Sequence, residues 1–292
     1  MIKISDLKTH TLATTPIELT VNGLRISALR TGQGRPVKIL CVHGWLDNAH
    51  SFLPLWPQLP DADIVAIDLP GHGRSGHLSD CVQYSFTGQS QTILNIASNL
   101  GWNQFHLIGH SLGGCLAPFC AVAASTAVQS ITLIDAAGPQ TESADQLPVR
   151  LAGSFRDLTR LDHFNSRYYV DIEATIEARL RANKMEYHSA RLIVERQLTR
   201  TDKGYVWSFD RKLRVASARY FTEQQLHAVL KAVECPVLCI LAQQSFVINN
   251  SATRDRLDKI RNLTLCELPG NHHLHMDTPE PVGGQIRYFL NV

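Results

Sequence analysis

The sequence has no uninterrupted run of about 18 apolar residues, so it offers no transmembrane helix. Its opening residues, Met1-Ile2-Lys3-Ile4-Ser5-Asp6, lack the apolar centre of a secretory leader, and the expected location is the cytoplasm. CxxC pairs are absent. The cysteines number seven, an odd count. Cys41, Cys239 and Cys266 fall in apolar runs, and Cys115 and Cys120 in a helical segment. They read as buried, reduced thiols. Neither sign of charge dominates: 28 Lys and Arg face 26 Asp and Glu, a net charge of +2, which argues against a nucleic-acid partner. Internal repeats and low-complexity tracts are also missing.

What is present is a chain of 292 residues, 44% hydrophobic and 18% charged. That length and composition suit one α/β core with an inserted subdomain. Basic residues are uneven. Residues 150–219 hold 15 Lys and Arg against 9 Asp and Glu. This is either a solvated, arginine-rich helical region or a preference for acidic substrates.

Pro16 to Arg30 alternates polar and apolar residues around Asn22-Gly23, the signature of a hairpin with a two-residue turn. Val37–Val42 is apolar except for Lys38, as in a strand buried on both faces, and ends in His43-Gly44-Trp45-Leu46-Asp47. Asp63–Ile67 is the next strand and ends in Asp68-Leu69-Pro70-Gly71-His72-Gly73-Arg74-Ser75. Ile93, Ile96, Ala97 and Leu100 recur at helical spacing. Ser130–Ile134 forms a strand ending at Asp135. From about 140 to 222 strand-like runs stop, and Ile172–Leu180 and Ala190–Leu198 have helical character. The expected division is a core over 1–139, a helical cap over 140–222 and the rest of the core over 223–292. The sheet resumes at Pro236–Leu241 and Leu263–Leu268, followed by a helix with Val282, Ile286 and Phe289 on one face. Strands alternating with helices predict a mostly parallel sheet, with ligands beyond the carboxyl ends of its strands.

The central stretch is Phe105-His106-Leu107-Ile108-Gly109-His110-Ser111-Leu112-Gly113-Gly114, followed by an Ala-rich helical segment from Cys115 to Ala127. It reads as a buried strand, a sharp turn and a helix, with Ser111 at the tip. So crowded a bend tolerates only small neighbours, hence Gly109 and Gly113. The Leu112 amide and the helix dipole then face any charge that develops on an oxygen held by Ser111. A serine nucleophile needs a base. Of 13 histidines, His272, His273 and His275 lie in the loop after the last strand, Leu268 to Pro279. They compete for that role, and a three-histidine metal site is the alternative. A carboxylate completes the set by fixing the imidazole tautomer.

His43-Gly44, Asp68–Ser75, Gly109–Gly114 and Gly270–Pro279 resemble, in order and spacing, the α/β-hydrolase superfamily. His43-Gly44-Trp45-Leu46-Asp47-Asn48 and Gly270-Asn271-His272-His273-Leu274-His275 look like its serine hydrolase-like branch. The resemblance covers nearly the whole chain and is poorest in the cap. It implies an α/β-hydrolase fold, a mostly parallel central sheet flanked by helices, with an inserted helical cap. In that family the catalytic histidine typically stands seven residues before a proline, and counting back from Pro279 reaches His272. The same resemblance implies an oxyanion hole at the backbone amides of Trp45 and Leu112, and a structural turn at Asp68, His72, Gly73 and Arg74. His110 is expected to be a packed histidine, and Asp277 to be non-catalytic.

The departure from the family lies at the acid. After Val237–Leu241 the chain reads Ala242-Gln243-Gln244-Ser245-Phe246-Val247, with no carboxylate before Asp255. Asp135 is the favoured acid, as in some haloalkane dehalogenases that place it at that strand end. The alternatives are that Ser245 or Gln244 only orients His272, or that the chain is a non-catalytic relative. Dehalogenases and epoxide hydrolases of the superfamily carry aspartate where this chain has Ser111, so serine points to an ester or related acyl bond. The expectation is a cofactor-free carboxylic-ester hydrolase using Ser111, His272 and Asp135, without a metal. Its rivals are a ligand-binding relative on the same scaffold and a cofactor-free perhydrolase. The substrate would be a small ester; Phe155, Phe164, Tyr168, Tyr169 and Trp207 are candidate pocket walls. The sequence leaves the substrate's identity and the oligomeric state open.

Overall fold

A computed structural model describes residues 14–80, 82–161 and 167–292. Asn22 and Gly23 both take positive φ, 54° and 77°, which is the two-residue turn that matches strand twist. They join β1 (Thr15–Val21) to β2 (Leu24–Thr31) in an antiparallel hairpin. Next come β3 (Val37–Val42), β4 (Ala62–Ile67), α1 (Phe86–Asn99), β5 (Phe105–His110), α2 (Leu112–Ala123) and β6 (Val128–Ile134). The following segment carries α3 (Leu147–Thr159), α4 (Ile172–Ala182), α5 (Tyr187–Arg196) and the strands β7 (Leu198–Thr201) and β8 (Gly204–Trp207). The chain then returns to the sheet through α6 (Glu223–Lys231), β9 (Val237–Ala242), α7 (Ser251–Leu257), β10 (Leu263–Leu268), α8 (Leu274–Asp277) and α9 (Pro279–Leu290).

Eight strands form one sheet in the order β1-β2-β4-β3-β5-β6-β9-β10. Every pairing from β4 to β10 is parallel, and only the β1–β2 and β2–β4 pairings are antiparallel. The α/β reading therefore holds, and the expected strand limits agree to within two residues: β4 starts one residue earlier, β6 two residues earlier, and β9 runs one residue later. Period-two alternation divides the core between the two faces. Leu40, Val42, Val65, Leu107 and Leu133 pack on one side with Leu116 of α2. Ile39, Cys41, Ile64, Ile108 and Ile134 pack on the other with Phe52, Trp56 and Ile286. Each such side chain contributes about 1.5–3 kcal/mol by leaving water. Among the described residues, no helix is long and apolar enough to cross a membrane.

Two expectations need correcting. Residues 140–222 are not free of strands. Leu198–Thr201 and Gly204–Trp207 pair antiparallel as β7 and β8, because β-branched and aromatic residues flank the Asp202-Lys203 turn. The helix expected to reach Leu198 accordingly ends at Arg196. The six described cysteines are free, but Cys115, Cys235 and Cys266 are only partly buried. Cys266 lies on β10, an edge strand with a half-open face. Cys81 lies outside the described residues.

Candidate active site

Four loops leave the carboxyl ends of β3, β5, β6 and β10 and carry the residues of interest. At the end of β5 the backbone turns sharply, and Ser111 takes φ 49° and ψ −112° immediately before α2. Such a conformation costs a non-glycine residue about 1–3 kcal/mol and persists only where the surroundings fix it. The Ser111 amide donates to the Ile134 carbonyl (3.0 Å), and the Gly113 amide to the His43 carbonyl (3.1 Å). A Cβ on Gly109 would lie 2.3 Å from the Gly113 backbone, and one on Gly113 would lie 2.0 Å from the Val42 carbonyl oxygen. Both glycines are thus required by close backbone approach rather than by loop flexibility.

The structure brings Ser111, His272 and Asp135 into one hydrogen-bonded line. Asp135 follows β6 with φ 47°, and its side chain is fully buried. Its Oδ2 accepts from His272 Nδ1 at 2.5 Å. That bond leaves Nε2 as the acceptor for Ser111 Oγ–H, at 2.9 Å. Two further donors hold the carboxylate: the Ala242 amide on Oδ1 (3.0 Å), and the Ser245 hydroxyl on Oδ2. Ser245 therefore bonds the acid rather than the imidazole. Gln244 accepts from the Gly270 amide and shapes the start of the histidine loop. Burial pushes the His272 pKa below its ordinary value, although the bond to Asp135 pulls it back upward. The ring is therefore neutral near pH 7, the form that accepts a proton. Phe246 packs against it at 4.8 Å between ring centroids.

Trp45 follows the exit of β3 and is 53% exposed, with its indole N–H donating to the Leu213 carbonyl at 2.9 Å. Leu112 is the first residue of α2, where an amide has no acceptor within the helix. His110 is fully buried, and its Nε2–H donates to the backbone carbonyl of His272 at 2.8 Å. His273 and His275 are buried, and it is His272 that reaches the Ser111 hydroxyl. His273 Nε2 lies 3.2 Å from Asp47 Oδ2, and His110 Nδ1 lies 3.5 Å from the same oxygen. Asp47, His110 and His273 bring ligand-type atoms within 4.8 Å of one another, a grouping that leaves out His272 and His275. The Arg179 guanidinium already pairs with Asp47 and supplies the cation there. That cation and the neighbouring His273 hold the Asp47 carboxyl well below its usual range, against the opposing effect of burial.

Residues 38–279 match the model of the alpha/beta hydrolase fold. The chain belongs to the α/β-hydrolase family. Its relatives place it in the serine hydrolase-like branch. It is 30% identical to a serine hydrolase-like protein of Danio rerio, over 88% of this chain and 82% of that one. It is 32% identical to a probable serine hydrolase of Drosophila melanogaster, over 86% and 80%. A hypothetical protein from Pseudomonas aeruginosa PAO1 superposes with a TM-score of 0.89 at 30% identity, covering 94% of this chain and 97% of that chain.

In this hydrolase, the turn at Asp68 is structural. The Asp68 carboxylate accepts from the Ala49 and Arg74 amides, both at 2.8 Å, and from Arg196 of α5 at 2.9 Å. Asp277 accepts from the Glu186 amide at 3.1 Å, tying the histidine loop to the segment after β6. Arg179, Arg196 and the Ser245 hydroxyl on Asp135 escaped sequence reasoning as partners. No spacing links Arg179 to Asp47, 132 residues away. A polar residue within an otherwise apolar helical stripe, such as Arg196 beside Ile193 and Val194, was the available signal. A cavity of about 780 Å³ lies between the loop after β3, at Trp45 and Leu46, and the inserted segment. Tyr169 and Trp207 line it as expected, whereas Phe155 and Tyr168 are solvent-exposed and do not. Phe164 lies outside the described residues.

Proposed function

We propose that this hydrolase cleaves a small carboxylic ester through an acyl-enzyme on Ser111. The single observation that carries the proposal is the unbroken line from Ser111 Oγ through His272 to Asp135 Oδ2, with contacts of 2.9 and 2.5 Å. His272 Nε2 takes the Ser111 proton as Oγ attacks the acyl carbonyl. The amides of Trp45 and Leu112 receive the oxyanion, aided by the N-terminus of α2. His272 then returns the proton to the leaving alcohol. A water molecule, deprotonated by His272, attacks the acyl-serine and releases the carboxylic acid. Asp135 holds the imidazole tautomer and stabilises the imidazolium throughout. The chemistry needs no cofactor or metal.

The likeness to an esterase of Mycobacterium tuberculosis, 28% identical over 91% of this chain, supports ester rather than other acyl substrates. Residues 140–222 act as a cap over the core of 1–139 and 223–292, and the cavity beneath that cap is the substrate chamber. The six free cysteines fit a reducing, cytoplasmic setting. A fluorophosphonate probe tests the central step. It should label the wild-type chain and leave Ser111→Ala unlabelled; equal labelling of the two would end this reading.

A further inference from the structure

The cavity beside Trp45 is lined by four guanidinium groups, those of Arg167, Arg179, Arg211 and Arg214. Among the described lining residues one carboxylate, Asp157, opposes them. Two of the four are already engaged: Arg179 pairs with Asp47, and Arg211 donates to the Leu161 carbonyl at 3.2 Å. The other two are available. Among the described residues, Arg214 makes no side-chain hydrogen bond or ion pair, and the contact of the Arg167 guanidinium is its stacking over the Tyr169 ring at 5.1 Å, a geometry that leaves N–H groups free to bind an anion.

A concave wall of one charge sign concentrates the opposite charge. Guanidinium groups match carboxylate and phosphate oxygens in pairs, which an ammonium group does not. The same cavity is lined by the rings of Trp45, Tyr169 and Trp207, the last two packed edge to face at 6.3 Å between centroids, so apolar surface and cations share one chamber. The volume is within the range of small-molecule sites. A wholly apolar acyl chain in this chamber would have no partner for the cations.

We propose that the ester carries an anionic group, carboxylate or phosphate, on the arm that enters this chamber, held by Arg167 and Arg214. This rests on the ester-hydrolase reading above and gives its substrate class. The segment's arginine excess then serves substrate choice, one of the two meanings its sequence left open.

The test compares kcat/KM at low ionic strength for three p-nitrophenyl esters of similar length: hexanoate, the monoester of adipate, and its terminal phosphonate analogue. The expected result is a preference of about tenfold or more for an anionic ester over hexanoate, weakened by salt. Whichever anion is favoured identifies the source. In the Arg167→Gln/Arg214→Gln variant the anionic-to-neutral ratio should fall about tenfold, mainly through KM. Both positions are exposed, so the substitutions should leave the fold intact. Hexanoate turned over as well as both anionic esters, or a preference that survives the double substitution, would overturn the proposal. Calorimetry on Ser111→Ala keeps recognition separate from catalysis. Monomethyl adipate should bind about tenfold more tightly than dimethyl adipate, with the difference lost in the arginine variant. Arginine-dependent binding without turnover of any ester would defeat the hydrolase reading and leave anion recognition standing. Turnover without charge preference would do the reverse.

Discussion

Asp135 accepts three hydrogen bonds in a fully buried position, from His272, the Ala242 amide and the Ser245 hydroxyl. A buried carboxylate is tolerable only with that degree of satisfaction. Its amide analogue cannot accept from His272 Nδ1–H in the same way, and the imidazole is then free to take the wrong tautomer. Asp135→Asn should lower kcat by about a thousandfold or more. Its folded structure should be retained, as judged by an unchanged far-UV spectrum. Ser245→Ala should have a different signature. Removing that donor leaves more of the carboxylate's charge directed at His272 and favours the imidazolium, so the acid limb of the kcat/KM profile should move to higher pH with only a modest loss of rate. An unshifted limb would mean that Ser245 is merely packed beside the acid. Ser111 and His272 were legible because their motifs are local: two glycines around a serine, and a histidine at fixed distance from Pro279. Asp135 was legible as a carboxylate at a strand's end, but its partners were not, since Ser245 stands 110 residues away.

The elements inherit their positions from the sheet. The apolar runs at β3, β5 and β9 were readable because a strand buried on both faces needs continuous hydrophobicity. The β7–β8 hairpin was missed because its strands have four residues each, β7 mostly exposed and β8 half-buried, which gives a short and mixed pattern. The ties between α5 and the core were equally hidden. Arg196 and Asp68 are 2% and 0% exposed, and Arg196 also donates to the Ser27 hydroxyl at 3.1 Å. Removing one partner of such a pair leaves the other charge buried alone. Arg196→Leu should therefore cost about 3–5 kcal/mol, read as a lower urea midpoint. A loss within about 0.5 kcal/mol would show that the Arg196–Asp68 pair does not help hold the inserted segment.

At the level of the whole molecule, several histidines are buried in their neutral form. Burial lowers the pKa of His43, of His275, and of His72, the last to about 3. In the unfolded chain each returns to about 6.5. Between the folded and unfolded values the unfolded state binds more protons, so stability falls as pH falls. The contribution is complete above about pH 6.5. It is lost at up to about 1.4 kcal/mol per pH unit for each such histidine. The urea midpoint should thus drop steeply from pH 7 to pH 5, and a flat profile would contradict the neutral assignment. The most direct test of the account is rapid acid quenching during hydrolysis of p-nitrophenyl acetate, followed by peptide mass spectrometry. An acetyl group on the peptide at Ser111, absent from Ser111→Ala along with turnover, is the result expected. Sustained hydrolysis by Ser111→Ala, or an acetyl group trapped on another residue, would contradict it.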